Sequence, residues 1–170
     1  MKLLFEGAIF IVLFFPFVAL AHVPYFESEI IKDISISQVH YYEVSTVGIK
    51  EIKLVSNGEK LYLMFAVPKI ERLKNFRPKL TLIAPQGEIL LEFNTEGVEP
   101  RVYHEEFADT YEWIYFDDHF ETVPGTYRLI VECYDPGKFW VAVGKIERFG
   151  ILDILRLPTM IRKIKSFHEQ

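Results

Sequence analysis

From Ile34 to Val143 the sequence is a succession of short segments in which apolar and polar residues alternate, separated by Gly, Pro or Asn. Alternation at period two puts one face of a strand in an apolar interior and the other in water, and such a sheet must bury its apolar face against a second sheet. Ile34-Ser-Ile-Ser-Gln-Val-His-Tyr-Tyr-Glu-Val44 opens the series. The segments 51–56 and 59–67 flank Asn57-Gly58, the dipeptide that best tolerates the two positive φ angles of a type I′ turn, so a hairpin is expected there. Residues 79–84 and 88–93 form a second hairpin around Pro85-Gln86-Gly87, and a long loop runs from Asn94 to Asp109. Tyr111 to Phe116 is a further segment, and Thr126–Tyr134 is joined to Phe139–Val143 by Asp135-Pro136-Gly137-Lys138. The reading is an antiparallel β-sandwich of about eight strands.

The pattern changes at both ends. Ile151–Leu157 and Thr159–Phe167 have helical spacing, with Pro158 expected to separate or kink them. Residues 1–21 carry Lys2, an apolar run from Ala8 and the small-x-small close Ala19-Leu20-Ala21, the marks of a signal peptide. An uncleaved anchor is the alternative, although Glu6 is costly inside a span. Either way the domain is placed outside the cytoplasm. The expected organisation is a leader at 1–21, a sandwich at 22–150 and a helical appendage at 151–170.

Half the residues are apolar and a quarter charged, which excludes a disordered chain. The net charge of −5 argues against a general nucleic-acid binder. A single cysteine, Cys133, excludes a disulfide framework within the chain and a Cys-rich zinc site. On its strand it is most simply a buried small hydrophobe, with a disulfide between two chains as the alternative.

Several stretches carry a family likeness: Ala21-His22-x-Pro24, Ser37-Gln-Val-His-Tyr-Tyr42, Val67-Pro-Lys69, Pro124-Gly-Thr-Tyr127, Gly137-Lys-Phe-Trp-Val-Ala-Val-Gly144 and Leu157-Pro158. Together they resemble a group of exported prokaryotic β-sandwich proteins of unknown function, more loosely similar to the jelly-roll domains of pre-peptidase C-terminal type. The resemblance implies a jelly-roll-like fold and a compartment. Its motifs are turns and strand ends, so it brings no catalytic residues.

Three groups of residues are candidates for chemistry. Cleavage before His22 would free an α-amine beside an imidazole, a pair suited to Cu(II), with His40, His104 and His119 as further ligands. Glu105, Glu106, Asp109, Asp117 and Asp118 gather the hard oxygens that Ca²⁺ takes, although their spacing matches no defined calcium loop. Tyr103, Phe107 and Trp113 lie among those carboxylates, as a glycan-binding surface requires. Against that, Tyr111, Trp113 and Tyr115 share one strand face, and a wet face at Glu112 would put these three aromatics in the core. No nucleophile-elbow, HExxH or P-loop pattern is present, so a carboxylate-based hydrolase rests on acidic residues alone. Ile161, Ile164 and Phe167 form a stripe between basic residues, able to cover an open sandwich edge or touch an anionic membrane.

These readings converge on an exported, non-catalytic binding or structural module with a glycan or partner protein as ligand, with calcium as a stabilising ion. A copper carrier built on His22 and a hydrolase are the alternatives.

Overall fold

The computed structural model describes residues 22–148 and 150–169, and the leader expected at 1–21 lies outside them. Eleven strands run β1 (Val23–Phe26), β2 (Ile30–Ile31), β3 (Gln38–Val44), β4 (Gly48–Asn57), β5 (Leu61–Pro68), β6 (Lys79–Ile83), β7 (Ile89–Asn94), β8 (Arg101–Glu105), β9 (Thr110–Phe120), β10 (Pro124–Cys133) and β11 (Gly137–Val143). Among the described residues one α-helix, α1 (Ile151–Glu169), follows. A six-stranded sheet in the order β1-β3-β11-β5-β9-β8 packs on a five-stranded sheet in the order β2-β4-β10-β6-β7. The fold is an all-β sandwich.

Eight of the strands follow one plan. β6 pairs with β7 about Pro85-Gln86-Gly87, and moving outward from that tip β5 pairs with β9, β4 with β10 and β3 with β11, all antiparallel. This is one long hairpin rolled up, closed by β11 on β5 and β10 on β6. Its two arms cross together from sheet to sheet, which is the jelly-roll arrangement. The remaining strands are short additions. β1 and β2 pair in parallel with β3 and β4, which makes both sheets mixed, and β8 extends the six-stranded sheet beyond β9.

The rolled plan corrects the hairpin expected at Asn57-Gly58. β4 and β5 belong to different sheets, and the turn carries the chain between them. Gly58 has φ of 99°, but Asn57 is not in the positive-φ region, so the type I′ geometry is absent. Side chains tie this crossing to the neighbouring one. Ser56 Oγ lies 2.6 Å from Thr122 Oγ1, and Thr122 donates to the Glu59 carbonyl. Asp135-Pro136-Gly137 likewise passes between sheets. The first expected strand is shortened because Asp33 accepts from the Ser35 backbone N–H (3.0 Å) and hydroxyl (2.6 Å), an Asx turn that bends the chain before β3. Strand β8 lies inside the segment expected to be a loop.

The main core fills the space between the sheets, with Tyr42, Leu54, Phe65, Leu82, Tyr127, Leu129 and Phe139 among its buried side chains. A second, smaller core lies on the outer face of the six-stranded sheet, where Tyr41, Ala66, Ile114, Trp140 and Ala142 meet Ile164 and Phe167 of α1. Every residue of β11 is therefore buried. The apolar stripe of the helix covers a sheet face and not a sandwich edge, and α1 continues through Pro158 without a break in the element. Proline removes a single hydrogen bond of the ladder, and the packing of Ile164 and Phe167 against the sheet outweighs that loss.

Gly144 ends β11 at φ 73°, and a Cβ there would stand 2.1 Å from the Ile36 carbonyl oxygen. Gly144→Ala is expected to lower the unfolding free energy in urea by about 3 kcal/mol. Gly87, at φ 92° but with open space around it, is the control, and its alanine variant is expected to lose only about 1 kcal/mol. Cys133 is 1% exposed and burial pushes its thiol up to about 11. Iodoacetamide at pH 8 is therefore expected to label it only after unfolding.

Candidate functional site

Strand β9 is buried on both sides at Glu112, because the main core takes Trp113 while α1 covers the opposite face. Glu112 is 1% exposed. Its Oε1 accepts from His168 Nε2 at 2.5 Å and from the Thr110 hydroxyl at 3.1 Å, and its Oε2 accepts from Trp140 Nε1 at 2.8 Å. The other ring nitrogen of His168, Nδ1, lies 2.7 Å from the Ile164 carbonyl. Both imidazole nitrogens thus face oxygen acceptors, an arrangement that favours the doubly protonated cation. Burial opposes that charge, but the hydrogen bond and the charge of Glu112 overcome it and hold the His168 pKa above its ordinary value.

The end of α1 is anchored a second time. Lys138, itself buried, donates to the Phe167 carbonyl at 3.1 Å, placing a cation at the negative end of the helix dipole. The Phe167 ring meets Tyr41 edge-on at 5.1 Å and lies below the Lys138 ammonium. Burial, then Glu112 and Glu105, push the Tyr41 phenol well above its ordinary value.

Beside this buried pair is a cleft of about 260 Å³ where three stretches of chain converge. The loop after β5 contributes Lys69, the turn into β9 contributes Asp109, β9 itself contributes Tyr111, and α1 contributes Lys165, His168 and Glu169. Asp109 holds a φ of 55°, the left-handed region that Asp tolerates better than most residues. Glu105 organises the preceding turn, accepting from the backbone N–H groups of Phe107 (3.1 Å) and Ala108 (2.8 Å). The Tyr111 ring is half exposed, with Lys69 Nζ 5.7 Å from its centroid and His104 stacked on it at 4.5 Å. The Lys69 backbone N–H donates to the Tyr111 carbonyl at 2.8 Å, which holds the two walls together. Chemically the cleft offers cations, an aromatic ring and the carboxylates of Asp109 and Glu169.

The histidines considered as copper ligands are not gathered. His40, on β3, and His104, on β8, are separated by three intervening strands, about 19 Å at ordinary strand spacing. His119 lies at the far end of β9 from His104, and the β1–β3 register sets Tyr25, not His22, opposite His40. His40 is a core residue. It stacks on Tyr25 at 5.0 Å and shares a 3.0 Å hydrogen bond with the Gln38 side chain, and burial pushes its pKa down to about 4.

The proposed calcium ligands fall into two separate groups. Glu105, Glu106 and Asp109 are at the start of β9, whereas Asp117 and Asp118 are about 25 Å further along it. Asp109 accepts from His104 at 2.8 Å, Asp117 pairs with Arg101 at 3.0 Å, and Asp118 accepts from the His119 backbone N–H. Among the described residues no group of three or more His, Cys, Asp or Glu side chains is arranged to hold a metal ion. The aromatic surface is divided as well. Tyr103 is exposed on the edge strand, Phe107 packs under α1, and Trp113 packs against the main core.

Glu112 and His168 are the residues that sequence reading passed over. The face of β9 holding Glu112 is dry where a wetter one was expected. His168 had a legible signal, since it follows Ile164 by four positions and so shares its buried helix face. Nothing local in the sequence marks Glu112 as buried.

No protein-family model and no curated protein sequence matches this chain. Among solved structures, a family GH115 4-O-methyl-α-glucuronidase with specificity for decorated arabinogalactans matches 62% of this chain and 14% of its own at 10% identity, with a TM-score of 0.37. A β-glucosidase from Paenibacillus barengoltzii matches 74% of this chain and 12% of its own at 14% identity, with a TM-score of 0.30. The chain thus spans a small fraction of each of these proteins.

His168→Ala leaves the Glu112 carboxylate buried without its cation, and is expected to cost about 3–5 kcal/mol in urea unfolding, with a change in Trp140 fluorescence. Replacing both partners by leucine is expected to recover most of that loss. Because the folded pKa of His168 is raised, the stability it contributes is complete below the ordinary imidazole value of 6.5 and disappears as pH rises through the folded value. The same unfolding measurement as pH is raised above 6.5, repeated on the double leucine variant, is expected to show the decline in the native protein alone.

Proposed function

We propose that the protein is an exported, non-catalytic binding module whose ligand site is the cleft beside α1 and whose ligand is a glycan. The observation that carries this reading is the state of the ionisable pair next to the cleft. Both Glu112 oxygens and both His168 nitrogens already have partners inside the protein, so neither is free to move a proton to or from a bound molecule. What remains on the cleft wall is a half-exposed tyrosine ring with cationic and acidic groups around it. A tyrosine ring stacks against sugar C–H faces, while fixed polar groups exchange hydrogen bonds with hydroxyls.

Export rests on the leader pattern at 1–21. Among the described residues no helix is long and apolar enough to cross a membrane. Intact mass and N-terminal sequencing of protein recovered from expressing cells test the leader, the expected start being His22.

A panel of soluble oligosaccharides tests the ligand class. Tyr111→Ala is expected to weaken glycan binding at least tenfold while costing only about 1 kcal/mol of unfolding free energy, the loss of its contacts with His104 and Lys69. Hydrolysis of any panel member, or binding unchanged by the substitution, would contradict this function.

A further inference from the structure

The charge on this chain is segregated. Residues 69–78 carry four Lys and Arg against one Glu, and residues 161–169 carry three against one, in a chain whose net charge is −5. The first segment is the loop after β5 and the second is the end of α1, and both supply walls of the cleft. Among the described residues no carboxylate forms an ion pair with Lys69 or Lys165. His168 on the same wall is paired with Glu112 behind it, so this pair adds no net charge to the cleft. Asp109 and Glu169 are the acidic residues of the wall, and Asp109 is already bonded to His104.

Building on the glycan reading, we infer that the ligand is an acidic polysaccharide, with a uronate-type carboxylate held between Lys69 and Lys165 and the sugar ring against Tyr111. Two ammonium groups with no carboxylate ion pair line the cleft, one of them 5.7 Å from the Tyr111 ring centroid, which matches a sugar that carries its charge on the ring itself. Arg162, one turn before Lys165 on α1, adds to the positive field on that segment.

An anionic membrane is the competing polyanion, and the fold argues against it. The apolar stripe of α1 is buried against the sheet, leaving little of it to enter a bilayer.

The test is calorimetric titration of the whole protein with a galacturonate hexamer, its methyl-esterified form, inorganic sulfate and phosphatidylglycerol vesicles. Expected is binding of the free acid alone, weakened by added salt and raised about tenfold in Kd by Lys69→Ala with Lys165→Ala. Unchanged circular dichroism and unfolding midpoint of that variant exclude loss of fold. Equal affinity for acid and ester overturns this inference and leaves the glycan reading intact. No binding to either form, or to any neutral oligosaccharide, overturns both. Sulfate binding as tight as the hexamer, or vesicle binding in its place, overturns the acidic-sugar assignment.

Discussion

The ion pair between Glu112 and His168 joins residues 56 positions apart and closes the outer side of the six-stranded sheet. Its cost sets its meaning. Removing two charges from water is expensive, and the attraction between them in a dry site offsets this only when the remaining hydrogen-bond sites are also filled. Here Thr110, Trp140 and the Ile164 carbonyl fill them. A pair of this kind adds little to stability compared with a well-packed apolar substitute, but it admits one placement of the helix and rejects others. The docking of α1, the double burial of β11 and the position of the cleft all follow from that placement.

The sandwich beneath it is organised by one rule, a long hairpin wound so that its arms travel together. The crossings are where the winding is held. Thr122 on one arm bonds to the turn after β4 on the other. A Cβ at Gly137 would stand 2.5 Å from the Phe76 ring, so the loop after β5 seats directly on the start of β11. The same loop carries the basic wall of the cleft, so the geometry of the site is inherited from the packing of the crossings. A binding surface fixed by a rigid scaffold needs little reordering when a ligand arrives.

The cleft itself combines groups that a sequence scan treats as separate signals. The acidic, aromatic stretch from Tyr103 to Glu121 is dispersed by the fold: its aromatics go to the core, the underside of α1 and the edge strand, and its carboxylates to local turns and arginine. A strand of 11 residues is longer than any small ligand site, so residues adjacent in sequence end up far apart. The two lysines that face the cleft come from segments nearly a hundred residues apart and belong to no common motif.

Period-two alternation, turn residues and helical spacing in the last segment were enough to determine an all-β sandwich followed by a helix, because each is a local property of the backbone and its immediate solvent contrast. The Pro85-Gln86-Gly87 hairpin was legible for that reason, and so was the burial of Cys133. Pairing was not legible, because alternation reports that a face is buried without naming what buries it. Asn57-Gly58 permits a hairpin and equally permits a passage between sheets, and only the competition of β9, β10 and β11 for β4 and β5 decides between them. Glu112 is the sharpest case. Its neighbours in sequence suggest a wet strand face, and it is dry because a helix folded from the far end of the chain lies over it with an imidazolium in place to meet its charge.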